Sequence, residues 1–180
     1  MNTKLIPASI ESEVLSALSY YKELESVPIK FIFKKDIKRS VMLAQPQISS
    51  LFLPKNKRKY SIKISEDFKI TGKIFKTEQL PKDVLIGWIG HELGHICDYE
   101  QMSNLELIWY GFKYVTSKKF LKLAEKRADT YAVRNGMKTY IITTKNFILN
   151  HADISDRYKE KIKEYYLSPE EIMLMLPSES

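Results

Sequence analysis

The sequence predicts an α+β fold in one domain, in which a small, mostly antiparallel sheet is followed by a series of helices. After one helical pattern near the N-terminus, strand-like patterns are confined to residues 29–65, and helical spacing dominates from residue 81 onward. The 180 residues are 44% hydrophobic, which is enough for a core, and no internal repeat or linker divides them. Collagen-like, low-complexity and wholly disordered classes are therefore excluded.

The first helix is predicted from a capping residue, and the strands are predicted from alternating or continuous apolar residues. Ser9 is predicted to cap a helix whose apolar residues recur at helical spacing as far as Tyr21, and Pro28 ends this pattern. Residues 66–82 are predicted to be irregular, with at most one short strand. Alternating or apolar runs predict strands at residues 29–34, 41–45, 48–53 and 59–65.

The later elements are helical. Pro81 suits the start of a helix, Gly136 suits a left-handed helix end, and Ser168 opens a capping box with Pro169 at the first helical position. Residues 139–149 form either a helix or a strand. Helices are predicted at residues 81–99, 104–115, 117–136, 155–166 and 169–176.

Charge and cysteine content limit the partners and the compartment. The net charge of +7 favours acidic partners, but the basic run at residues 55–59 carries no aromatic residue and is interpreted as a solvated turn. No nucleic-acid partner is therefore predicted. The apolar run at residues 105–112 is too short to span a membrane and is interpreted as a buried or interfacial helix. With the lone Cys97 and no secretory pattern at the N-terminus, the sequence predicts a cytoplasmic protein.

Two of the three histidines form the motif His91-Glu92-Leu93-Gly94-His95. Residues four apart lie on one face of a helix, so both imidazoles can reach one metal ion, and Glu92 lies close enough to polarise water without being a ligand. Zinc suits neutral imidazole ligands. The alternative is a chance pair of histidines on an ordinary amphipathic helix.

A third ligand is predicted thirty residues after His95. Glu125 and Asp129 are four residues apart within a helix, and the small Ala128 and Ala132 allow another helix to approach closely. Glu125 can complete a site of two histidines and one carboxylate, and Asp129 can accept the spare N–H of a ligand histidine. The alternative is a solvent-facing charged helix.

His-Glu-x-x-His followed by Glu-x-x-Ala-Asp in a second helix resembles the gluzincin zinc metallopeptidases. The resemblance extends over residues 86–136, and the size of the chain is similar to that of the minimal gluzincins, small soluble relatives of the membrane-embedded CAAX-processing peptidases. It implies a zincin-like fold, zinc ligands at His91, His95 and Glu125, and Asp129 as the partner of a ligand. It also implies that Glu92 assists the attack of a zinc-bound water on a peptide bond and then protonates the leaving amine.

Two further features follow from the resemblance. The oxyanion needs another donor, for which His151 and Tyr140 are candidates. The alternative for His151 is a surface histidine beside Asp153. Gluzincins also bind substrate as an added strand at a sheet edge, and the strand at residues 59–65 is the candidate edge.

Three functions remain open: a zinc-dependent endopeptidase, a zincin-fold regulatory protein that cleaves one intracellular repressor, and a zinc-binding interaction module without turnover. Repressor-cleaving relatives usually carry Asn where this chain has Asp129, which counts against the second function. The segment at residues 153–180 is acidic and rich in apolar side chains. It is interpreted either as a final packed helix or as a segment across the cleft that keeps the enzyme latent.

Overall fold

Strands dominate the first part of the chain and helices the second in this computed structural model, which describes residues 4–35, 37, 40–70, 73–151 and 154–175, with the backbone alone at 68–70 and 73–75. The fold is α+β, as predicted. The strands are β1 (Lys4–Leu5), β2 (Ile29–Lys34), β3 (Met42–Pro46), β4 (Tyr60–Ser65), β5 (Asp67–Ile70) and β6 (Lys73–Lys76). The helices are α1 (Glu11–Leu18), α2 (Lys82–Glu100), α3 (Asn104–Thr116), α4 (Lys118–Ala132), α5 (Lys138–Asn150), α6 (Asp156–Tyr165) and α7 (Pro169–Leu174).

The four-stranded sheet has the order β1-β2-β4-β3 and is mixed, so the prediction of a mostly antiparallel sheet is wrong. β2 pairs in parallel with both β1 and β4, and only β3 runs antiparallel to its neighbour β4. β4 therefore lies inside the sheet, and the prediction that residues 59–65 form the edge is also wrong. The edge strands are β1 and β3, and β3 packs against α2.

Three local predictions for the first part of the chain fail. Residues 48–53 were predicted as a strand, but Ile48–Phe52 is a 3-10 helix because the Ser50 hydroxyl donates to the carbonyl of Gln47 and holds a tight turn. Ser9 lies within a 3-10 turn and caps no helix. Residues 66–82, predicted irregular, contain the hairpin of β5 and β6.

The basic run at residues 55–59 is only partly a solvated turn. Arg58 is buried, and its guanidinium donates to the carbonyls of Tyr99 and Met102 at 2.9 Å and to the Asn104 side chain at 2.7 Å. Tyr99 lies in the last turn of α2, and Met102 lies just after the helix ends. Arg58 therefore joins the end of α2 to the start of α3.

The helix α2 lies at the centre of the fold, in contact with α1, α4, α5 and β3. Leu85, Ile89, Leu93 and Ile96 recur at intervals of four, four and three residues and are all buried. Gly94 lets α4 approach closely, because a Cβ atom at this position would lie 2.4 Å from the carbonyl oxygen of Ala128. This close approach is what brings the residues of α4 beside the histidines of α2.

Substituting Gly94 of α2 and Gly111 of α3 should have opposite effects on stability. Gly94→Ala forces a methyl group against the backbone of α4 and should lower the free energy of unfolding by about 1–3 kcal/mol. The matched change Gly111→Ala meets no atom within 4 Å in an exposed helix and should raise it by about 0.5–1 kcal/mol. Urea unfolding followed by circular dichroism measures both. A Gly94→Ala protein as stable as the parent would show that the two helices can separate without cost.

The ends of the later helices agree with the sequence patterns. α4 continues into a π-helical turn, Val133–Met137, in which Gly136 has a φ of +89°, the predicted left-handed conformation. Residues 139–149, left open between helix and strand, belong to α5. Ser168 forms the predicted capping box with Glu171 at the start of α7. The predicted end of this helix at residue 176 lies outside the described residues.

Candidate metal centre

Three buried side chains from α2 and α4 converge on one point. The Nε2 atoms of His91 and His95 lie 3.0 and 3.4 Å from the same oxygen, Oε2 of Glu125. One ligand atom from each residue lies within 4.8 Å of those from the other two. Two imidazole nitrogens and a carboxylate oxygen are a donor set that zinc accepts, so these residues could hold a metal ion.

The orientation of His91 is fixed by Asp129. Nδ1 of His91 lies 2.9 Å from Oδ1 of Asp129, which leaves Nε2 directed at the ligand cluster. The other oxygen of Asp129 accepts from Lys145 Nζ at 2.8 Å and from the backbone amide of Leu167 at 3.0 Å. Asp129 is 1% exposed, and these partners neutralise and orient it.

The charges of the cluster stabilise one another. Burial lowers the pKa of His91, but the adjacent carboxylates of Asp129 and Glu125 outweigh it and raise this pKa to about 10. Burial opposes ionisation of the two carboxyl groups, yet the histidines hold the pKa of Glu125 well below its usual range. Lys145 and His91 likewise lower the pKa of Asp129. Without metal, the site is therefore a histidinium between two carboxylates.

Glu92, between the two histidines in the motif, faces the sheet edge. Its Oε2 accepts from the backbone amide of Ala44 in β3 at 2.6 Å. The backbone carbonyl of Ala44 accepts a hydrogen bond from the Tyr99 hydroxyl at 3.3 Å. Burial raises the pKa of Glu92, although the neighbouring histidines oppose the shift. A carboxyl group whose pKa is raised is a better proton acceptor than an ordinary glutamate and can also return the proton.

Two side chains that follow His95 in α2 do not contribute ligands. Asp98 forms an ion pair with Arg127 of α4 at 3.6 Å. Cys97 is buried, and its thiol donates to Glu23 at 3.3 Å.

Four residues around the cluster were missed by the sequence analysis. The Tyr114 hydroxyl of α3 donates to Oε1 of Glu125. Lys145 lies on the apolar stripe of α5, and a charged residue on such a stripe is a signal that could have identified it. Tyr158 in α6 and Tyr166 just after it are the other two. Burial raises the pKa of both tyrosines, and the charges of Glu92 and Glu125 add to the shift.

The two predicted oxyanion donors each contact another aromatic ring. His151 follows the last residue of α5, with its ring 5.0 Å from that of Phe147, and it is not among the residues described as lining the cavity beside His91. The ring of Tyr140 packs edge-on against Tyr20 at 5.9 Å. The role of His151 stays a prediction.

The candidate metal centre is covered by the C-terminal segment. His91 is 7% exposed, and the ring of Tyr166 lies 5.3 Å from its imidazole. The Lys145 ammonium lies 4.8 Å from the centre of the same tyrosine ring. The cavity beside His91 is lined by residues of α2, α4, α5 and α6, with Ile162 and Tyr166 closing one side. The segment thus packs as a helix and also lies over the site.

Binding of a metal ion should release a proton from His91. Because the pKa of His91 is about 10 without metal, its imidazole is charged at pH 7 and must lose that proton to become a ligand. We expect the affinity for zinc to fall by about tenfold for each unit by which the pH is lowered below neutral. Calorimetric titration in two buffers of different ionisation enthalpy counts the protons released.

Asp129→Asn is the informative variant for this proton release. It removes one of the two carboxylates that hold the proton on His91, so fewer protons should be released per zinc ion. His151→Gln serves as the control and should leave the count unchanged. Equal heats in both buffers for the parent protein would contradict a charged His91.

No protein-family model, curated protein or solved structure matches this chain. Its assignment therefore depends on the geometry of the residues described above.

Proposed function

We propose that this protein is a zinc-dependent endopeptidase of the gluzincin type, acting on a peptide or protein substrate. The observation that carries the proposal is the convergence of His91, His95 and Glu125 on one point, beside a buried glutamate with a raised pKa. A cluster that only tied α2 to α4 would not need an additional carboxyl group, Glu92, on the helix that carries both histidines.

The residues of the cluster suit zinc in number and chemical type. The Nε2 atoms of both histidines and a carboxylate oxygen of Glu125 would hold the ion, with Asp129 fixing the ring of His91. Zinc at this position would supply Lewis-acid polarisation of a peptide carbonyl and of water.

Glu92 is the proposed general base and acid. It would accept the proton of the attacking water and deliver it to the leaving amine. The amide of Ala44 holds one oxygen of this carboxylate and so fixes its direction between α2 and the sheet edge. For the oxyanion, His151 remains the proposed donor.

The burial of the ligands supports latency as part of the proposal. All three ligands and Glu92 are at most 7% exposed, and a peptide bond can reach them only if the cover formed by α6 and Tyr166 moves away. The same burial favours a second candidate function, a zinc-binding interaction module without turnover. The two functions differ in whether zinc-loaded protein cleaves any peptide.

Digestion of a peptide library is the direct test. Protein stripped of metal by a chelator and then reloaded with zinc should cleave peptides, and the stripped protein should not. If the reloaded protein contains one zinc ion per chain but cleaves nothing, even after removal of the cover, the interaction module is the better assignment.

Removal of the cover should raise peptidase activity. Deleting residues 155–180 takes away α6 and Tyr166, which compete with substrate at the high local concentration of a tethered segment, so we expect an increase of about tenfold or more. A cut after Tyr158 would leave a short fragment of α6 that has lost its buried residue Ile162. The deletion therefore removes the whole helix. Deleting residues 168–180 removes α7 but spares Tyr166 and is the matched control.

The substitution Tyr166→Ala tests latency where the deletion fails to fold. It removes the ring above His91 and leaves α6 in place. Zinc content should stay unchanged while activity rises. A folded, zinc-loaded variant without increased activity would show that the C-terminal segment is only structural.

A further inference from the structure

The helix α3 exposes an apolar face. Its side chains at intervals of three or four residues are each 54–78% exposed, and together they cover one side of the helix over three turns. The members of this face are Leu105, Ile108, Trp109, Phe112 and Val115. An isolated exposed apolar residue is ordinary, but a contiguous set that includes a tryptophan and a phenylalanine marks an interaction surface.

The exposed face is not the part of α3 that holds the helix in the fold. Leu107 and Tyr110 are buried on the opposite side, and Tyr114 there donates to Glu125. The helix is therefore fixed by its inner side, and its outer side remains available. No helix among the described parts of the chain is long and apolar enough to cross a membrane, and α3 has only 13 residues.

The apolar face continues toward the 3-10 helix Ile48–Phe52. The side-chain amide of Asn104, the first residue of α3, donates to the carbonyl of Leu53 at 2.8 Å. Leu53 is 41% exposed, and Phe52 just before it is 83% exposed. The start of α3 thus has two further exposed apolar side chains beside it.

The segments around this face are strongly basic. Residues 48–59 and 104–123 contain seven exposed lysines and one acidic residue, Glu106. The lysines are Lys55, Lys57, Lys59, Lys113, Lys118, Lys119 and Lys122. Long lysine side chains can cover apolar surface with their methylene groups while their ammonium groups reach outward to negative charge.

We propose that the outer face of α3 binds the surface of an anionic lipid bilayer, with the helix lying in the plane of the membrane. Aromatic and aliphatic side chains would enter the boundary between headgroups and acyl chains, and the lysines would contact anionic headgroups. A second copy of this chain fits less well, because pairing the two faces would bring the two sets of seven lysines together. The proposal does not depend on peptidase activity.

Flotation with lipid vesicles tests the proposal. The full chain should float with vesicles of phosphatidylcholine that contain about one third phosphatidylserine and not with phosphatidylcholine alone, and high salt should weaken the binding. The double substitution Trp109→Ser and Phe112→Ser should weaken binding by about tenfold or more. Leu15→Ser with Leu174→Ser removes two exposed apolar side chains outside this face and should have no effect.

A second pair of variants tests how much the lysines contribute to vesicle binding. Lys118→Glu with Lys119→Glu should weaken binding by about tenfold or more, and Lys30→Glu with Lys34→Glu on β2 should change it much less for the same change in net charge. The proposal is wrong if the parent protein fails to float, or if neutral and anionic vesicles bind it equally. It is also wrong if Trp109→Ser converts a dimer to a monomer and leaves flotation unchanged, since the face would then join two copies.

Discussion

The Glu92→Gln protein is expected to bind zinc and fold like the parent but to lose peptide hydrolysis by about 100-fold to 10,000-fold. The amide has the size of the carboxylate, and its oxygen can still accept the hydrogen bond from the amide of Ala44. It cannot accept the proton of an attacking water. The measurement is the initial rate on a cleaved library peptide at equal zinc content.

Glu11→Gln is the control for this substitution. Glu11 is exposed in α1, and its change to glutamine should leave the rate unchanged. If Glu92→Gln and the parent hydrolyse peptide at the same rate, the activity belongs to a contaminant or to another group of the protein. In either case Glu92 would not be the general base.

Loss of any one ligand should weaken zinc binding by more than about 100-fold, because two remaining ligands hold the ion far less tightly than three. His91→Ala and His95→Ala each remove an imidazole. Glu125→Gln is preferred to alanine because it retains the volume and a partner for the Tyr114 hydroxyl in a buried position. Competition with a zinc-sensitive dye measures the affinity.

His151→Ala is the matched histidine control for the ligand variants. His151 lies at the end of α5 and should not contribute to zinc affinity, whether or not it assists catalysis. Unchanged stoichiometry and affinity in Glu125→Gln would contradict the assignment of the third ligand. The proposed zinc site would then lack its third protein ligand.

The ligand cluster could be anticipated because its signals are local. The four-residue intervals between His91 and His95 and between Glu125 and Asp129 determine which side chains share a helix face, whatever the rest of the chain does. The meeting of the two faces depends on the close approach at Gly94, which the spacing of small residues in α4 only suggested. The helices themselves were predicted well, since capping and periodicity are also local.

The pairing of strands and the cover of the site could not be anticipated in the same way. Alternation shows which side chains share a face of a strand, but it does not show the neighbour of that strand, so the parallel pairing of β2 with β4 was missed. Lys145 and Tyr166 reach the site through packing of α5 and of the segment after α6, which no short motif encodes. In the 3-10 helix at Ile48–Phe52, a hydrogen bond of Ser50 prevailed over strand propensity.

The hydrogen bonds at Ala44 also determine how the sheet ends. An open edge strand is a template on which another chain can add, and this is a common route to aggregation. In β3 the N–H and C=O groups of Ala44 are taken by Glu92 and Tyr99, and Pro46 has no N–H to offer. The carboxylate proposed as the base therefore also protects this edge of the sheet from the addition of another strand. Any chain that adds to this edge, whether substrate or aggregate, must first displace Glu92 from Ala44.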